Sequence, residues 1–187
     1  MPRVVILTGG NIGDVKSRLQ SAQQLINERV GAVLRCSHRY ETAPWGFGAG
    51  GAAPFSNQVM EVSTDLAPEQ VLDALQRIEC ELGRDRGAEA RDRERTGERY
   101  SSRKIDIDIL FYGDEVISTE RLQVPHPLIA EREFVLQPLC EILRTKRHPV
   151  TGRSAAEMLD ELKKRRAAVG PDAGPRRDGG GRKQNES

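Results

Sequence analysis

The sequence predicts an α+β fold in which helices pack on an antiparallel β-sheet. Segments with strand character and two amphipathic helical segments follow one another in the order strand, helix, strand, strand, helix, strand. This order is characteristic of the ferredoxin-like βαββαβ sandwich. Further helical patterns follow the last strand, so we expect extra C-terminal helices. The 187 residues are enough for one such domain with a proper core.

The first strand and the first helix are predicted around "RVVILTGGNIGD". The apolar run indicates a buried strand, and Gly9, Gly10 and Gly13 indicate a tight turn, because the lysine that ends a phosphate-binding glycine loop is missing. Asp14 can cap a helix that ends at Gly31. The apolar residues of this helix keep helical spacing, and they are Val15, Leu19, Ala22, Leu25, Ile26 and Val30.

Two more strands and a second helix are predicted next. "AVLRCSHRYET" and "NQVMEVST" have strand character, and the glycine-rich loop "APWGFGAGGAAPFS" joins them. The second helix begins near Pro68 and ends at Gly83. Its inward-facing apolar residues are Val71, Leu72, Leu75, Ile78 and Leu82.

The segment from Arg84 to Lys104 combines many arginines with glutamate and aspartate. This composition is typical of a solvated helix or loop. The same arginines would also suit a lid that closes over a triphosphate and excludes water. Composition alone leaves both interpretations open.

The last strand, "RKIDIDILFYGD", alternates isoleucine with aspartate. Ile105, Ile107 and Ile109 line one face, which we expect to be core. Asp106 and Asp108 share the other face, with their α-carbons about 6.5 to 7 Å apart. Carboxylates this close repel one another, and Mg²⁺ is commonly held by one or two carboxylates together with substrate phosphates. A magnesium site and an ordinary strand with a solvated acidic face both fit this pattern.

Basic and amide side chains elsewhere suit the binding of a nucleotide. Arg121, His126 and Arg132 are phosphate-competent side chains within one short segment. Gln76 and Glu79 are neighbours on the second helix, flanking its apolar stripe, and could bind the edge of a heterocycle. Turn formation and surface polarity explain these residues as well.

Aromatic side chains bracket the glycine-rich loop. Trp45 and Phe55 offer ring faces for stacking, and Asn57 offers an amide for paired hydrogen bonds. Together they suit a planar bicyclic ligand. The alternative is that the two rings anchor the loop to the core.

The composition excludes several classes of protein. The chain has 29 basic and 28 acidic residues, a net charge of +1, so no overall field favours nucleic acid or an anionic membrane. No apolar run approaches the roughly 20 residues that cross a bilayer, and the N-terminus does not resemble a secretory signal.

Cys36, Cys80 and Cys140 are scattered, which is typical of reduced thiols. We expect a cytoplasmic monomer.

Residues 1–165 are expected to form a single domain. Its last helices are predicted near Phe134–Leu143 and Ser154–Lys164. Residues 166–187 combine glycine, proline and charge with almost no apolar side chains, so burial cannot offset the entropy of ordering them. They are predicted to be a disordered basic tail.

Six segments identify a family when they are taken in order. They are "LTGGNIGD", "YETAPWG", "FSNQVMEV", "RIECELGRDR", "RKIDIDILFYGD" and "VPHPLIAEREFVLQPL". From the first strand to about Leu143 the chain resembles 6-hydroxymethyl-7,8-dihydropterin pyrophosphokinase (2-amino-4-hydroxy-6-hydroxymethyldihydropteridine diphosphokinase). The resemblance implies an ATP-dependent diphosphokinase of folate biosynthesis, which transfers diphosphate from ATP to the hydroxymethyl group of 6-hydroxymethyl-7,8-dihydropterin and releases AMP.

The resemblance also implies roles for individual residues. Asp106 and Asp108 would hold two Mg²⁺ ions that bridge the ATP phosphates, and Arg103 and Arg86 would join them in catalysis. The residues implied for ATP are Gln76, Glu79, Arg86, Arg103, Ile109, Arg121, His126 and Arg132. The residues implied for the pterin pocket are Thr42, Pro44, Trp45, Phe55, Asn57 and Phe134.

Three features depart from the family pattern. Gly10 replaces a usual serine, the arginine-rich loop is long and lacks a tryptophan, and Pro127 follows His126. Two other function classes are compatible with parts of the sequence. One is a ferredoxin-like module that binds RNA, which would need aromatic residues on its sheet and a basic surface. The other is a metal-dependent phosphate hydrolase that uses the same aspartates on water.

Overall fold

The computed structural model describes residues 1–42, 54–96 and 104–169. The first half of the chain forms β1 (Arg3–Gly10), α1 (Val15–Arg29), β2 (Ala32–Cys36), β3 (Tyr40–Thr42), β4 (Phe55–Ser63) and α2 (Pro68–Glu81). The second half forms α3 (Arg86–Thr96), β5 (Asp106–Tyr112), β6 (Ile117–Ser118), β7 (Gln123–Val124), a 3₁₀ turn (Ile129–Glu131), α4 (Glu133–Leu143) and α5 (Ala155–Val169).

The main sheet has the strand order β2-β4-β1-β5, and β3 pairs with a second part of β4. All of these pairings are antiparallel. Strands β4 and β1 are thus central, and the helices α1 and α2 make the two crossovers of a βαββαβ sandwich. The predicted fold class is confirmed. Strands β6 and β7 form a separate small antiparallel pair.

The segment predicted as one strand at residues 32–42 forms two strands, and Ser37 lies at the break. The main-chain N–H of Ser37 donates to the carbonyl of Val59 at 2.8 Å. The N–H of Val59 donates to Oγ of Ser37 at 3.0 Å. Because a hydroxyl replaces a main-chain carbonyl as the acceptor here, the strand is interrupted without leaving the sheet.

One face of the sheet, which we call the isoleucine face, packs against α1 and α2. Ile105, Ile107 and Ile109 are at most 5% exposed, as the alternation predicts. Asp14 caps α1 by accepting a hydrogen bond from the N–H of Ser17 at 3.1 Å. The helix residues buried on this face include Leu19, Ala22, Ile26, Val71, Leu75 and Ile78.

The opposite face, which we call the aspartate face because it carries Asp106 and Asp108, packs against α4 and α5 over part of its area. Its core joins sheet residues to helix residues, and its members include Val5, Leu7, Val59, Leu110, Phe111, Leu136, Leu139, Met158 and Leu162. The expected extra C-terminal helices are therefore present, and they make the domain a three-layered sandwich with helices on both faces.

A β-bulge ends the alternation in β5. Val5 pairs with Phe111 while the next residue of β1, Ile6, pairs with Ile109. Leu110 is therefore the extra residue of the bulge. Leu110 and Phe111 both join the core of the aspartate face. The second half of β5 is therefore fully apolar, and only its first half presents carboxylates.

Two local predictions need correction. Gly9 and Gly10 belong to β1, and of the three glycines assigned to a turn only Gly13 has a left-handed φ, at +71°. Helix α5 continues to Val169, so residues 166–169, which were assigned to the tail, are helical. Residues 170–187 lie outside the described residues.

Three further observations concern the described part of the chain. Helix α3 occupies part of the arginine-rich segment, which agrees with the helix interpretation. No described helix is long and apolar enough to span a membrane. Cys36, Cys80 and Cys140 are free thiols.

Candidate active site

The aspartate face brings predicted site residues into one cross-strand row. Asp106 of β5 pairs with Gly9 of β1, which pairs with Asn57 of β4. Asn57 in turn pairs with Tyr40 of β3. Opposed residues of antiparallel strands place their side chains on the same face. Neighbouring strands are about 4.8 Å apart, so Asp106 and Asn57 project from one face about 10 Å apart.

Asp108 and Phe55 extend this row on the same face. Each lies two residues along its strand from a member of the row, and side chains with this spacing share a face. Phe55 pairs with Thr42. Asp106, Asp108 and Phe55 are partly exposed, whereas Asn57 is 6% exposed. The row therefore has a carboxylate end and an amide-aromatic end.

Gly9 lies in the middle of the row, and its lack of a side chain makes room for Asn57. A Cβ atom at residue 9 would lie 2.5 Å from Oδ1 of Asn57 and 3.1 Å from the carbonyl oxygen of Ser56. The first distance is too short for a carbon and an oxygen that are not bonded. The Asn57 amide therefore lies over β1, and sequence reasoning missed this function of Gly9.

Arg84, a buried arginine that sequence reasoning did not single out, binds three carboxylates. Its Nη1 donates to Oδ1 of Asp106 at 2.8 Å and to Oε1 of Glu79 at 2.9 Å. Its Nε and Nη2 donate to the carboxylate of Glu89 in α3, each at 3.1 Å. Burial lowers the pKa of Arg84, but the hydrogen bond to Glu89 and the negative charges around it outweigh burial and raise the pKa. Arg84 is therefore a permanent cation beside Asp106.

Glu79 lies inside the apolar stripe of α2, so the prediction that it flanks this stripe was wrong. It is 0% exposed, and its Oε1 also accepts a hydrogen bond from the main-chain N–H of Ile107 at 2.7 Å. A buried carboxylate is tolerated here because a buried cation, Arg84, pairs with it. Glu79 thus fastens α2 to the strand that carries the aspartates.

His126 is held by its main chain and by one ring nitrogen. Its N–H donates to the carbonyl of Leu110 at 2.9 Å, and its Nδ1 accepts from the N–H of Leu128 at 3.2 Å. In the neutral ring the proton is therefore on Nε2. Burial and then the charge of Arg132 lower the pKa of His126 to about 4, against an opposing effect of Asp106. At neutral pH this ring is an uncharged donor.

Arg132 and Phe134 approach the row from the helical layer. Arg132 is the N-cap residue of α4, and its Cζ lies 5.6 Å from the centroid of the Phe134 ring. This separation is within the range of a cation–π contact. Helix α4 packs against β4 and β3, the strands that carry Asn57 and Thr42.

Comparison with known proteins identifies the family of this chain. Residues 5–144 match the family described as 7,8-dihydro-6-hydroxymethylpterin-pyrophosphokinase (HPPK). The chain is 37% identical over 143 residues to the 2-amino-4-hydroxy-6-hydroxymethyldihydropteridine pyrophosphokinase of Porphyromonas gingivalis, covering 76% of this chain and 91% of that protein. The chain belongs to the HPPK family.

Two longer proteins contain a similar segment. The chain is 39% identical over 164 residues to the folic acid synthesis protein fol1 of Pneumocystis carinii, covering 85% of this chain but 20% of that protein. The crystal structure of Plasmodium falciparum HPPK-DHPS with pteroate superposes with a TM-score of 0.69 at 15% identity. That match covers 88% of this chain and 45% of the other, and it supports the fold.

Membership in the HPPK family gives the activity. The protein is a diphosphokinase that transfers the pyrophosphoryl group of ATP to hydroxymethyldihydropterin in folate biosynthesis. The cross-strand row, with carboxylates at one end and an amide and a phenyl ring at the other, is the candidate site for this activity.

Three other residues predicted to bind ATP have environments of their own in this structure of the HPPK. Arg121 is exposed and pairs with Glu69 and Asp73 of α2. Gln76 lies on α2, which packs on the isoleucine face. The side chain of Ile109 belongs to the core of that face, so only its main chain could contact a nucleotide.

The remaining predictions fall on residues whose structure is not described. Pro44 and Trp45 of the predicted pterin pocket and Arg103 of the predicted catalytic set lie outside the described residues. Arg86 begins α3, and its side chain is not described.

The donor set of the HPPK fits magnesium that is bound together with a substrate. Asp106 and Asp108 supply carboxylate oxygens, which are the ligands that Mg²⁺ prefers. Within residues 1–42, 54–96 and 104–169 there is no group of three or more histidine, cysteine or acidic side chains that could enclose a metal ion. Two carboxylates leave most coordination positions to waters and phosphates, as Mg²⁺ requires in nucleotide sites.

Proposed function

We propose that ATP and the pterin bind side by side along the aspartate face of this HPPK. The phosphates would lie at Asp106 and Asp108, and the pterin ring would lie at Asn57 and Phe55. The cross-strand row carries this proposal, because it places a carboxylate end and an amide-aromatic end on one face about 10 Å apart. The hydroxymethyl group of the pterin would then lie between the ring and the phosphates.

On the phosphate side, Asp106 and Asp108 would hold two Mg²⁺ ions, which supply charge neutralisation for the ATP phosphates when they are bound. Arg84 bonds to Asp106 in the described structure and would thus hold this carboxylate in place for the metal. His126 would donate a hydrogen bond from Nε2 without adding a full charge. Other arginine contacts with ATP would come from Arg86, Arg103, Arg121 and Arg132.

On the pterin side, Asn57 provides a buried amide that can donate and accept at the edge of a bicyclic ring. Phe55 and Phe134 provide apolar and aromatic surface on the strand and on α4. Thr42 pairs with Phe55 and so lies at the same end of the row. Pro44 and Trp45 would complete the pocket from the loop between β3 and β4.

The chemistry is a transfer at the β-phosphorus. A bond forms from the hydroxymethyl oxygen to the β-phosphorus, and the bond from that phosphorus to the bridging oxygen of the α-phosphate breaks. AMP leaves with the bridging oxygen, and the hydroxyl proton is released. The protein contributes mainly by aligning the two substrates and by placing positive groups around the phosphates.

The first test is pterin-dependent release of AMP by Asp106→Asn and Asp108→Asn variants. Each substitution removes a negative ligand without changing the size of the side chain. We expect each to lower kcat by at least about a hundredfold, the usual cost of losing one group that stabilises the transition state. AMP formation from ATP and Mg²⁺ is measured with and without 6-hydroxymethyl-7,8-dihydropterin.

Asp114→Asn is the matched control for this test. Asp114 follows the far end of β5, its side chain is 84% exposed, and it pairs with Lys146 at 2.7 Å. We expect this variant to keep wild-type activity. A folded Asp108→Asn protein with full activity would contradict the magnesium assignment, and nucleotide hydrolysis that ignores the pterin would favour a phosphate hydrolase.

A further inference from the structure

The C-terminal part of α5 contacts the segment that carries Arg132. Nη2 of Arg165 donates to the carbonyl oxygen of Ala130 at 3.1 Å. Nη1 of Arg166 pairs with the carboxylate of Glu133. These two contacts bracket Arg132, one of them two residues before it and the other one residue after it.

Helix α5 is itself fixed along most of its length. Ser154 and Glu157 form a reciprocal capping box at its start, with N–H to side-chain distances of 2.9 and 3.1 Å. Three residues of the helix, Ala155, Met158 and Leu162, are at most 6% exposed in the core of the aspartate face. Arg165 and Arg166 therefore extend from a helix that is anchored in the core.

The segment around Arg132 lacks a capping hydrogen bond of its own. Arg132 is an N-cap residue with an extended backbone, and no side-chain hydrogen bond caps this helix end. Glu133, the first residue of α4, accepts a hydrogen bond from Nε2 of Gln137 at 2.9 Å as well as the contact from Arg166. Arg165 thus holds the main chain before Arg132, and Arg166 holds the side chain of Glu133 at the start of the helix that carries Phe134.

We propose that Arg165 and Arg166 are positioning residues for the substrate site, which set the placement of Arg132 and Phe134 without touching substrate. The inference rests on the proposed function, because it takes Arg132 as a contact to ATP and Phe134 as a contact to the pterin. It extends the functional unit into α5, which begins after the segment matched by the HPPK family, residues 5–144.

The exposure of the Arg166–Glu133 pair indicates how much its loss should change folding stability and substrate binding. Arg166 is 43% exposed and Glu133 is 28% exposed, and pairs this exposed contribute little to folding. Loss of both contacts should therefore change substrate binding more than it changes the melting temperature. A double variant should raise the KM for ATP about fivefold and leave kcat within about twofold.

The test uses the full-length protein with Arg165→Gln and Arg166→Gln combined. We expect the higher KM for ATP, a melting temperature close to that of the wild type, and recovery of most of the affinity in an Arg165→Lys, Arg166→Lys protein. Lys163→Gln is the matched control, because it removes a positive charge from the same turn of α5, and its KM should be unchanged. Glu133→Gln combined with Arg166→Gln should be less than additive in the KM for ATP.

Arg132→Gln separates a failure of this inference from a failure of the proposed function. If Arg132→Gln raises the KM for ATP and the double arginine variant does not, the positioning inference alone is wrong. If Arg132→Gln itself leaves the KM unchanged, the role of Arg132 is wrong and the positioning inference falls with it. A loss of activity that follows only a loss of folded protein would also overturn the inference.

Discussion

At the scale of single residues, Gly9 shows how a missing side chain can build a site. The Asn57 amide occupies the space that a Cβ atom at residue 9 would need, since the distance would be 2.5 Å. The amide is consequently held over the central strand and opposite the strand of the aspartates. A glycine inside a strand usually weakens it, so a close approach of this kind is a physical reason for its presence.

Gly9→Ala is expected to lower the free energy of unfolding by about 1–3 kcal/mol, the usual cost of an overpacked position. It should also weaken pterin binding, because Asn57 must move. Urea unfolding measures the first effect, and the KM for the pterin measures the second.

The double variant Gly9→Ala, Asn57→Ala distinguishes the two effects. Removing the Asn57 amide relieves the clash, so part of the stability should return. Pterin affinity should not return, because the amide is gone. Normal pterin affinity in the double variant would show that Asn57 does not contact the ring.

Sequence reasoning identified the carboxylates of the site but not their support. The alternation in β5 predicted correctly that Asp106 and Asp108 share a face and that the isoleucines are core. Arg84 was missed because its partners lie in α2, α3 and β5, and no local pattern links them. The available signal was its position directly after Gly83, which follows α2 and has a φ of +98°.

At the scale of elements, Arg84 ties one strand to two helices. It bonds to Asp106 of β5, to Glu79 of α2 and to Glu89 of α3. Only 6% of its side chain is exposed, so these bonds form where charges are poorly solvated. The position of the start of β5, which carries the candidate metal ligands, therefore depends on Arg84, which follows the end of α2.

Arg84→Met is expected to cost about 3–5 kcal/mol of stability, because it leaves the buried carboxylate of Glu79 without its cation. Arg121→Met is the matched comparison, since Arg121 pairs with two acidic residues, one fewer than Arg84, but is 49% exposed. That variant should cost less than about 1 kcal/mol.

Urea unfolding of both variants without nucleotide measures this difference. Equal losses for Arg84→Met and Arg121→Met would mean that burial does not control the strength of the Arg84 network. A small loss for Arg84→Met alone would mean that Glu79 finds another partner.

The sequence predicted the elements better than the connections between them. Helical and strand periods located α1, α2, α4 and the start of α5, because these depend on local spacing. The break at Ser37 was missed, since a side-chain hydroxyl keeps the segment in the sheet there. The position of α4 and α5 on the aspartate face also depends on long-range packing, which periodicity alone does not specify.

At the scale of the whole molecule, helices on both faces explain why the site lies at one end of the sheet. Helices α4 and α5 cover the part of the aspartate face where β5 is apolar, and the polar first half of the strand lies beside Gly9 and Asn57. The candidate site therefore lies at the edge of a core. The monomeric state and the cytoplasmic location stay predictions from the sequence.

The global stability should also depend on pH through His126. Its pKa is lowered from 6.5 to about 4 in the folded protein, with burial as the largest cause. Between these two values the unfolded chain binds a proton that the folded chain does not, so the free energy of unfolding rises as pH rises from about 4 to about 6.5. The titration of His126 should therefore raise the free energy of unfolding by on the order of 3 kcal/mol across this window. Above the window His126 adds no further dependence on pH.

The comparison of the wild type with His126→Asn isolates this contribution from those of other groups. Carboxylates such as Asp114 and Glu141 have lowered pKa values, and their stabilisation is also lost as pH falls. Burial lowers the pKa of His148 as well, so it acts in the same direction as His126. Asparagine keeps an acceptor for the N–H of Leu128 and cannot take up a proton. Urea unfolding at several pH values, without metal or nucleotide, should give a shallower pH dependence for His126→Asn, and an identical dependence would mean that His126 titrates normally in the folded protein.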